Sequence, residues 1–349
     1  MADEQPTADG QTQTPPQPPV RKSRWLRRTL ATLFVLGLIG AAGVGVYGYW
    51  LFHSVDGPDA DVTVVIPKGS GVRGAAAALE KAGAIVNGDL FLIAAKVTGA
   101  DRKLKAGEYL VPASSTLEDV LGLLRSGKTV VRRFTVAEGL SVRQVDALIR
   151  AEPALDGDPG PMPPEGSLLP ETYHFSLGDS RAAVMARMRA AMERNLAALW
   201  ENRVQNLPLQ TPEQALILAS IVEKETGVAA ERPRIAGVFI NRLRTGMPLQ
   251  SDPTIVYGIK RGEPLGRPIR QSEIDGETPY NTYKIPGLPP TPIANPGLDS
   301  LKAVMRPMET RDLYFVADGT GGHAFAETYA EHLRNVQNWR AIERRGAGR

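Results

Sequence analysis

The chain contains no cysteine. That absence removes disulfide frameworks, thiol nucleophiles and cysteine-ligated zinc together, and it permits an oxidising compartment without requiring one. Histidine is scarce: His53, His174, His323 and His332 are the only four. No two of them stand at the i, i+4 spacing that aims a pair of imidazoles at one metal ion. A zinc hydrolase is therefore not expected, and no metal or other cofactor is implied. Charge of one sign is not in large excess either. The formal net charge is +3, and outside one N-terminal cluster the arginines are scattered, so no basic face argues for nucleic acid.

What the chain does have is length and one long apolar run. With 349 residues, 23% charged and 42% hydrophobic, it can build two modest globular domains and something more. Residues 1–20 are polar and proline-rich, and cannot bury enough apolar surface to offset the entropy of ordering. Residues 1–28 are thus expected to form a disordered basic tail, ending in Arg21, Lys22, Arg24, Arg27 and Arg28. An uncharged run over residues 29–52 follows. As a helix it would span the roughly 30 Å hydrocarbon core of a bilayer. Trp25, Tyr47, Tyr49 and Trp50 stand where interfacial aromatic side chains belong. The flank before the run is basic and the flank after it carries Asp56, Asp59 and Asp61. The positive-inside rule then leaves the N-terminus cytoplasmic and everything after residue 53 outside. A cleaved signal peptide would have a shorter apolar core, roughly 7–15 residues, and a small-residue cleavage site close behind it. A retained anchor fits better. Its glycines include a G-x-x-x-G-like spacing compatible with packing a second helix, although glycine is common in membrane helices.

Beyond the anchor, apolar spacing and glycine punctuation predict a strand (VTVVI, 62–66), two helices (from Val72 and from Gly88) and a strand (GEYLV, 107–111). This is a β-α-α-β unit. A helix capped by Ser114 or Ser115, a strand in VVRRFTV and a helix starting at Ser141 complete a module over residues 60–153. The proline-rich stretch 154–166 marks the boundary to a second region, 154–345, or else a loop lining a cleft. An amphipathic helix is expected over Arg181–Arg203.

Thr211-Pro212-Glu213-Gln214 combines an N-cap, a proline at the first helical position and a glutamine placed for a capping box. In the helix that follows, Leu218, Ile221, Val222 and Glu225 fall at i, i+3, i+4 and i+7, so Glu225 ends an apolar stripe. A half-buried carboxyl is disfavoured in its charged form, and its pKa should rise into the range of a general acid. Glu223 lies about 200° away around the helix, so one cleft does not easily use both. On helix geometry alone, E-K-E near a C-terminus also reads as a solvated face.

Further along, LQSDPT offers Gln250, Ser251, Asp252 and Thr254, either as hydrogen-bonding partners for a polar ligand or as a turn. YNTY offers Tyr280, Asn281 and Tyr283, with an aromatic face to stack on a sugar and an amide to hold an acetamido group, or a tyrosine for the core. Asn241 either orients Glu225 or satisfies backbone groups. YFVADGTGGHAF reads as a hairpin. His323 on its second strand reads as a hydrogen-bonded structural histidine.

The blocks ASIVEKET (219–226), GVFINRL (237–243), LQSDPTIVYG (249–258), YNTY (280–283), GLPP (287–290), NPG (295–297) and YFVADGTGGHAF (314–325) together resemble the endolytic murein transglycosylases of the MltG (YceG-like) family. GEYLVP, TLEDVLGLLRSGK and EGSLLPETY resemble that family's LysM-like and entry regions. The resemblance covers about residues 60–340. It implies an α+β protein: a single transmembrane helix, a LysM-like β-α-α-β module and a mixed α+β catalytic domain. It also implies that Glu225, the glutamate followed by threonine, is the acid/base, with Glu223 as the alternative. Asn241, Gln250, Ser251, Asp252, Thr254, Tyr280, Asn281 and Tyr283 are the candidate substrate contacts. Glu165 and Glu171 could line the cleft, although Glu171 stands where aspartate is expected. The implied substrate is the peptidoglycan glycan strand, cleaved between N-acetylmuramic acid and N-acetylglucosamine to leave a 1,6-anhydro end. The setting is the outer side of the inner membrane, with cell-wall synthases as possible partners. A true muramidase that uses water and a non-catalytic peptidoglycan-binding or scaffold protein are the competing readings.

Overall fold

The apolar run forms one uninterrupted helix, α1 (Arg24–His53), in the computed structural model, which describes residues 24–54 and 57–346. Its 30 residues extend about 45 Å, and none of the apolar stretch Trp25–Trp50 is buried by protein. A helix that is apolar on every side and covered by nothing has the composition of a membrane span. It begins inside the basic cluster. The tail expected over residues 1–20 and the flanking Asp56 lie outside the described residues.

The remaining residues form two compact units. The first comprises, with α1, residues 57–64, 69–105 and 111–126; the second comprises residues 65–68, 106–110 and 127–346. Strand β1 (Val62–Ile66), helices α2 (Val72–Lys81) and α3 (Gly88–Val97) and strand β2 (Gly107–Val111) follow one another as the alternation of apolar residues predicts. The two strands make a two-stranded sheet. Ala75, Ala76 and Leu79 of α2 and Phe91, Ala94 and Ala95 of α3 are buried as the two helices pack together. Helix α4 (Leu117–Ser126) is capped differently from expectation. Thr116 and Asp119 exchange hydrogen bonds at 2.9 and 3.1 Å, so Thr116 is the cap, while Ser114 adopts a left-handed turn with φ 58° and Ser115 bonds back to Pro112.

In the second unit, β3 (Arg132–Thr135) pairs antiparallel with a later strand, and α5 (Val142–Ala151) begins with the Ser141–Gln144 capping box. The short strand β4 (Leu155–Asp156) lies within the proline-rich stretch. The partner of β3 is β5 (Thr172–Phe175), and β4 pairs in parallel with β6 (Asp179–Ser180), which leads into α6 (Arg181–Glu201). Then come α7 (Pro212–Glu225), a single 3-10 turn at Ala229–Glu231, α8 (Arg232–Thr245), α9 (Asp252–Lys260), α10 (Gln271–Asp275) and α11 (Leu298–Met305). The expected hairpin is present as β7 (Tyr314–Ala317) and β8 (His323–Ala326), followed by α12 (Tyr329–Gly346).

Helix α7 is the centre of this unit. Thr211 caps it by accepting from the Gln214 amide, while the Gln214 side chain accepts from the N–H of Gln210, one residue upstream of the expected partner. Every residue from Ala215 to Val222 is buried, and α7 packs against α6, α8, α9 and α11. The expected single apolar stripe is therefore an all-round apolar surface, which is what a helix enclosed by four others requires.

The α8 helix shows how closely the chain approaches this core. A Cβ on Gly237 would stand 2.5 Å from the Met308 carbonyl oxygen and 3.0 Å from Thr310 Cγ2. Helix propensity alone favours Gly→Ala by about 1 kcal/mol. Overpacking against backbone costs about 1–3 kcal/mol and reverses the sign. Gly237→Ala is expected to lower the midpoint of urea unfolding; a raised midpoint would show that the 308–310 segment yields freely.

Candidate active site

Helix α7 ends on Glu225, and Thr226 leaves the helix in an extended conformation (φ −140°, ψ 136°). Thr226 is fixed there. Its hydroxyl accepts from the Val228 N–H at 3.0 Å and donates to Glu231 Oε2 at 3.2 Å. Glu231 in turn accepts from His323, through the backbone N–H at 2.8 Å and at ring Nδ1 at 2.7 Å. His323 is thus the hydrogen-bonded histidine that the hairpin suggests, and it ties β8 to the turn following Glu225.

The Glu225 carboxyl group meets the start of α9. Ser251 Oγ donates to Glu225 Oε1. Ser251 presents that hydroxyl because the rest of the residue is already engaged: its N–H donates to Thr282 Oγ1 at 2.9 Å and its carbonyl accepts from Thr254 Oγ1 at 2.6 Å. The Thr254 and Thr282 hydroxyls also bond each other at 2.9 Å. Gln250 reaches this arrangement through a left-handed conformation, φ 52°, with its side chain exposed.

Burial pushes the Glu225 carboxyl up to about 7. The Ser251 hydrogen bond pulls the other way, the Asp252 carboxylate raises the value, and His323 and Arg242 lower it. The C-terminal end of α7, the negative pole of the helix, also disfavours a carboxylate there. Glu225 keeps part of its surface open to solvent. The adjacent residues Lys224 and Asp252 line a depression of about 400 Å³ together with Leu140, Pro253 and Tyr257; Glu225 itself is not part of its wall.

Of the other candidates, Asp252 and Tyr283 join this group. The Tyr283 hydroxyl donates to Asp252 Oδ1 at 2.7 Å; burial and the two neighbouring carboxylates push it well above its ordinary value, so it stays protonated. Thr254 is buried in the hydroxyl cluster beneath Ser251. Tyr280 is buried against Tyr257 and bonds Thr291 Oγ1 at 2.9 Å. The Asn281 amide donates to the carbonyls of Ile274 and Gly276 at 2.9 and 2.6 Å, and its oxygen accepts from the Tyr283 N–H at 3.0 Å. Asn281 therefore shapes the loop that delivers Tyr283. Asn241 binds the carbonyls of Thr310 and Asp312 at 2.8 and 3.1 Å rather than Glu225.

Glu223 has a separate environment. Its carboxylate accepts from Arg232 Nη2 at 3.1 Å and from the Gly297 N–H at 2.9 Å, and Arg232 also reaches Glu138 at 2.9 Å. The opposite faces expected for the two glutamates are realised as opposite partners. Glu165 accepts from the first N–H of α5 at 2.8 Å and from the Tyr257 hydroxyl at 3.0 Å; burial raises its carboxyl. Glu171 is exposed. Arg242, not singled out from the sequence, is buried beside the site. It donates to the carbonyls of Leu313 and Leu249 at 2.7 and 2.6 Å, and so braces both β7 and the loop bearing Ser251. Among the four arginines of α8, the sequence carries no signal that singles it out.

A carboxyl group raised in this way destabilises the fold when it ionises. The unfolded value is near 4.5 and the folded value about 7, so the cost is absent below about pH 4 and complete above the folded value. At about 1.4 kcal/mol per pKa unit, it is on the order of 3 kcal/mol at pH 8. Glu225→Gln, neutral at every pH, is expected to unfold at a higher temperature than the parent chain at pH 8, with the advantage fading towards pH 4. Equal melting temperatures at pH 8 would show that the carboxyl is well solvated.

The pattern of the YceG-like family matches residues 64–338. An endolytic murein transglycosylase of Streptococcus pneumoniae serotype 2 (strain D39) is 33% identical over 360 residues, covering 88% of this chain and 64% of the relative. The chain thus spans less than two thirds of that relative's length. The endolytic murein transglycosylase of Bacillus subtilis (strain 168) is 32% identical over 334 residues, covering 85% of this chain and 90% of the relative. A crystal structure of a YceG-like protein from Listeria monocytogenes superposes with a TM-score of 0.49 at 29% identity, over 79% of this chain and 99% of that one. The family pattern over residues 64–338 takes in α7, the Ser251 loop and the terminal hairpin alike, and the chain belongs to the YceG-like family.

Proposed function

We propose that this protein is an endolytic lytic transglycosylase of peptidoglycan, held in the inner membrane by α1, with Glu225 as its single acid/base. The observation that carries the reading is the Glu225 carboxyl poised at about 7, partly open to solvent and hydrogen-bonded by Ser251. The relatives named endolytic murein transglycosylases support it.

Near neutral pH such a carboxyl is populated in both protonation states, which suits one group acting twice. Protonated Glu225 gives its proton to the oxygen linking C1 of N-acetylmuramic acid to N-acetylglucosamine, and the C1–O bond breaks. The ionised carboxylate then takes the proton of the muramoyl C6 hydroxyl as that oxygen bonds to C1. The product is a 1,6-anhydromuramoyl end, and the carboxyl group is restored. Since the nucleophile belongs to the substrate, no second carboxyl at the retaining or inverting separation is needed. Asp252, Tyr283 and the exposed Gln250 would touch the glycan, while the buried Ser251 acts through Glu225. Asn241, Thr254, Tyr280 and Asn281 act through the loops they hold.

The basic N-terminal cluster supports a cytoplasmic N-terminus with the globular units outside, where nascent strands are made. The β-α-α-β unit serves as a LysM-like module that holds glycan, and cutting new strands near synthases would limit their length.

Incubated with uncrosslinked glycan strands, the full chain in detergent is expected to yield fragments with anhydro ends, as read by mass spectrometry. Glu225→Gln should lose on the order of 10²–10⁴-fold in rate. Equal product from both proteins would remove Glu225 from the mechanism, and reducing ends would replace the lytic step by hydrolysis.

The pH profile carries a second expectation. The first step needs protonated Glu225, so kcat/KM should fall as pH rises through about 7. Asp252→Asn removes a neighbouring negative charge and should move that fall to lower pH. Ser251→Ala removes a hydrogen bond that favours the carboxylate and should move it to higher pH. Shifts in the same direction, or none, would mean that another group governs the profile.

A further inference from the structure

The first unit carries an apolar surface that its own core does not explain. On α3, Phe91, Ala94 and Ala95 face inward and are buried, whereas Ile93 and Val97 are 61% and 81% exposed, and Val86 just ahead of the helix is 73% exposed. Leu90, Ile93 and Val97 lie at i, i+3 and i+7, on one side of the helix. Soluble surfaces tolerate single apolar residues, but a stripe of them calls for a partner.

That stripe does not face open water alone. Across from it runs the outward end of α1, and between the two helices lies a groove of about 530 Å³, walled by Val44, Gly48 and Phe52 on one side and Leu90, Ile93 and Val97 on the other. The end of α1 meets the unit where His53 Nε2 lies 3.1 Å from the Glu118 carboxyl group at the start of α4. One wall of the groove therefore belongs to the apolar helix itself. Whatever surrounds Val44 and Gly48 has direct access to Ile93 and Val97. Beyond the C-terminus of α3 the chain turns through the exposed Arg102 and Lys103, side chains suited to anionic head groups.

We propose that α3 is a second membrane contact: its Leu90–Ile93–Val97 stripe rests in the outer leaflet of the bilayer that α1 crosses, with acyl chains filling the groove. The inference rests on the reading of α1 as an anchor. A helix lying along the interface adds a second point of attachment, and two points fix the orientation of a unit where one helix leaves it free to swivel. The unit would then stand at a set height and angle above the membrane.

The absence of cysteine makes the test direct, because a single introduced thiol is the only one in the chain. Val97→Cys and, separately, Leu36→Cys in the middle of α1 would be labelled with an environment-sensitive fluorophore. Each full-length chain would be reconstituted in phosphatidylethanolamine–phosphatidylglycerol vesicles. Quenching would be measured with spin-labelled acyl chains and with aqueous iodide, and retained glycan cleavage would show that both variants fold. At both sites most emission should be lost to the lipid quencher and little to iodide. Loss to lipid at Leu36 but to iodide at Val97 would overturn the proposal and leave the anchor standing. Protection of Val97 from both quenchers would mean that protein covers the stripe, a second copy included, and would overturn it too. Iodide quenching at Leu36 would remove the anchor itself, and this inference with it.

Discussion

A carboxyl group withdrawn from water is costly to ionise, and the site of this protein is organised around that cost. Glu225 stands at the end of a helix whose body is enclosed by four others, and the nearby Arg242 spends its hydrogen bonds on the Leu249 and Leu313 carbonyls rather than on the carboxyl. One hydroxyl, from Ser251, is its hydrogen-bond partner. A single neutral donor moderates the effect of burial without cancelling it, and the group settles near neutrality. A full ion pair in the same place would have produced a permanent carboxylate, useless as a proton donor.

Glu223, two residues away on the same helix, has such an ion pair. It meets Arg232 and a backbone N–H, and its role is to fasten α7 to α8 and to the Gly297 turn. The contrast shows how helical phase divides labour between neighbouring residues of one type. On one side of α7 a carboxylate is neutralised by a buried guanidinium; on the other a carboxyl is left almost alone. The turn after Glu225 is braced through Thr226, Glu231 and His323, so the end of the helix is defined from three sides.

Much of this was legible beforehand, for identifiable reasons. The β-α-α-β order followed from alternation and glycines; the start of α7 followed from Thr211 and Pro212; the hairpin followed from two apolar runs around glycines. The separation of Glu223 from Glu225 is simple helical arithmetic. Local cues failed where several residues competed for one role. Thr116 took the cap by exchanging hydrogen bonds with Asp119, although Ser115 also has an acid, Glu118, three residues on; the Ser115 hydroxyl is spent on the Pro112 carbonyl instead. The polar candidates of the Ser251 and Tyr283 loops divide into those facing the carboxyl and those facing the backbone, a division made by long-range contacts that spacing does not encode. Arg242 escaped notice because its partners are carbonyl groups, which leave no mark in the sequence.

One consequence follows from α7 being at once the core of its unit and the bearer of Glu225. A helix buried on all sides admits few substitutions, since each must also satisfy its neighbours. The loops carrying Gln250, Asp252 and Tyr283 are freer to vary. Under the proposed function, descendants of this fold would change what they grip far more readily than how they cut: the chemistry would be inherited with the architecture, while recognition is left to drift.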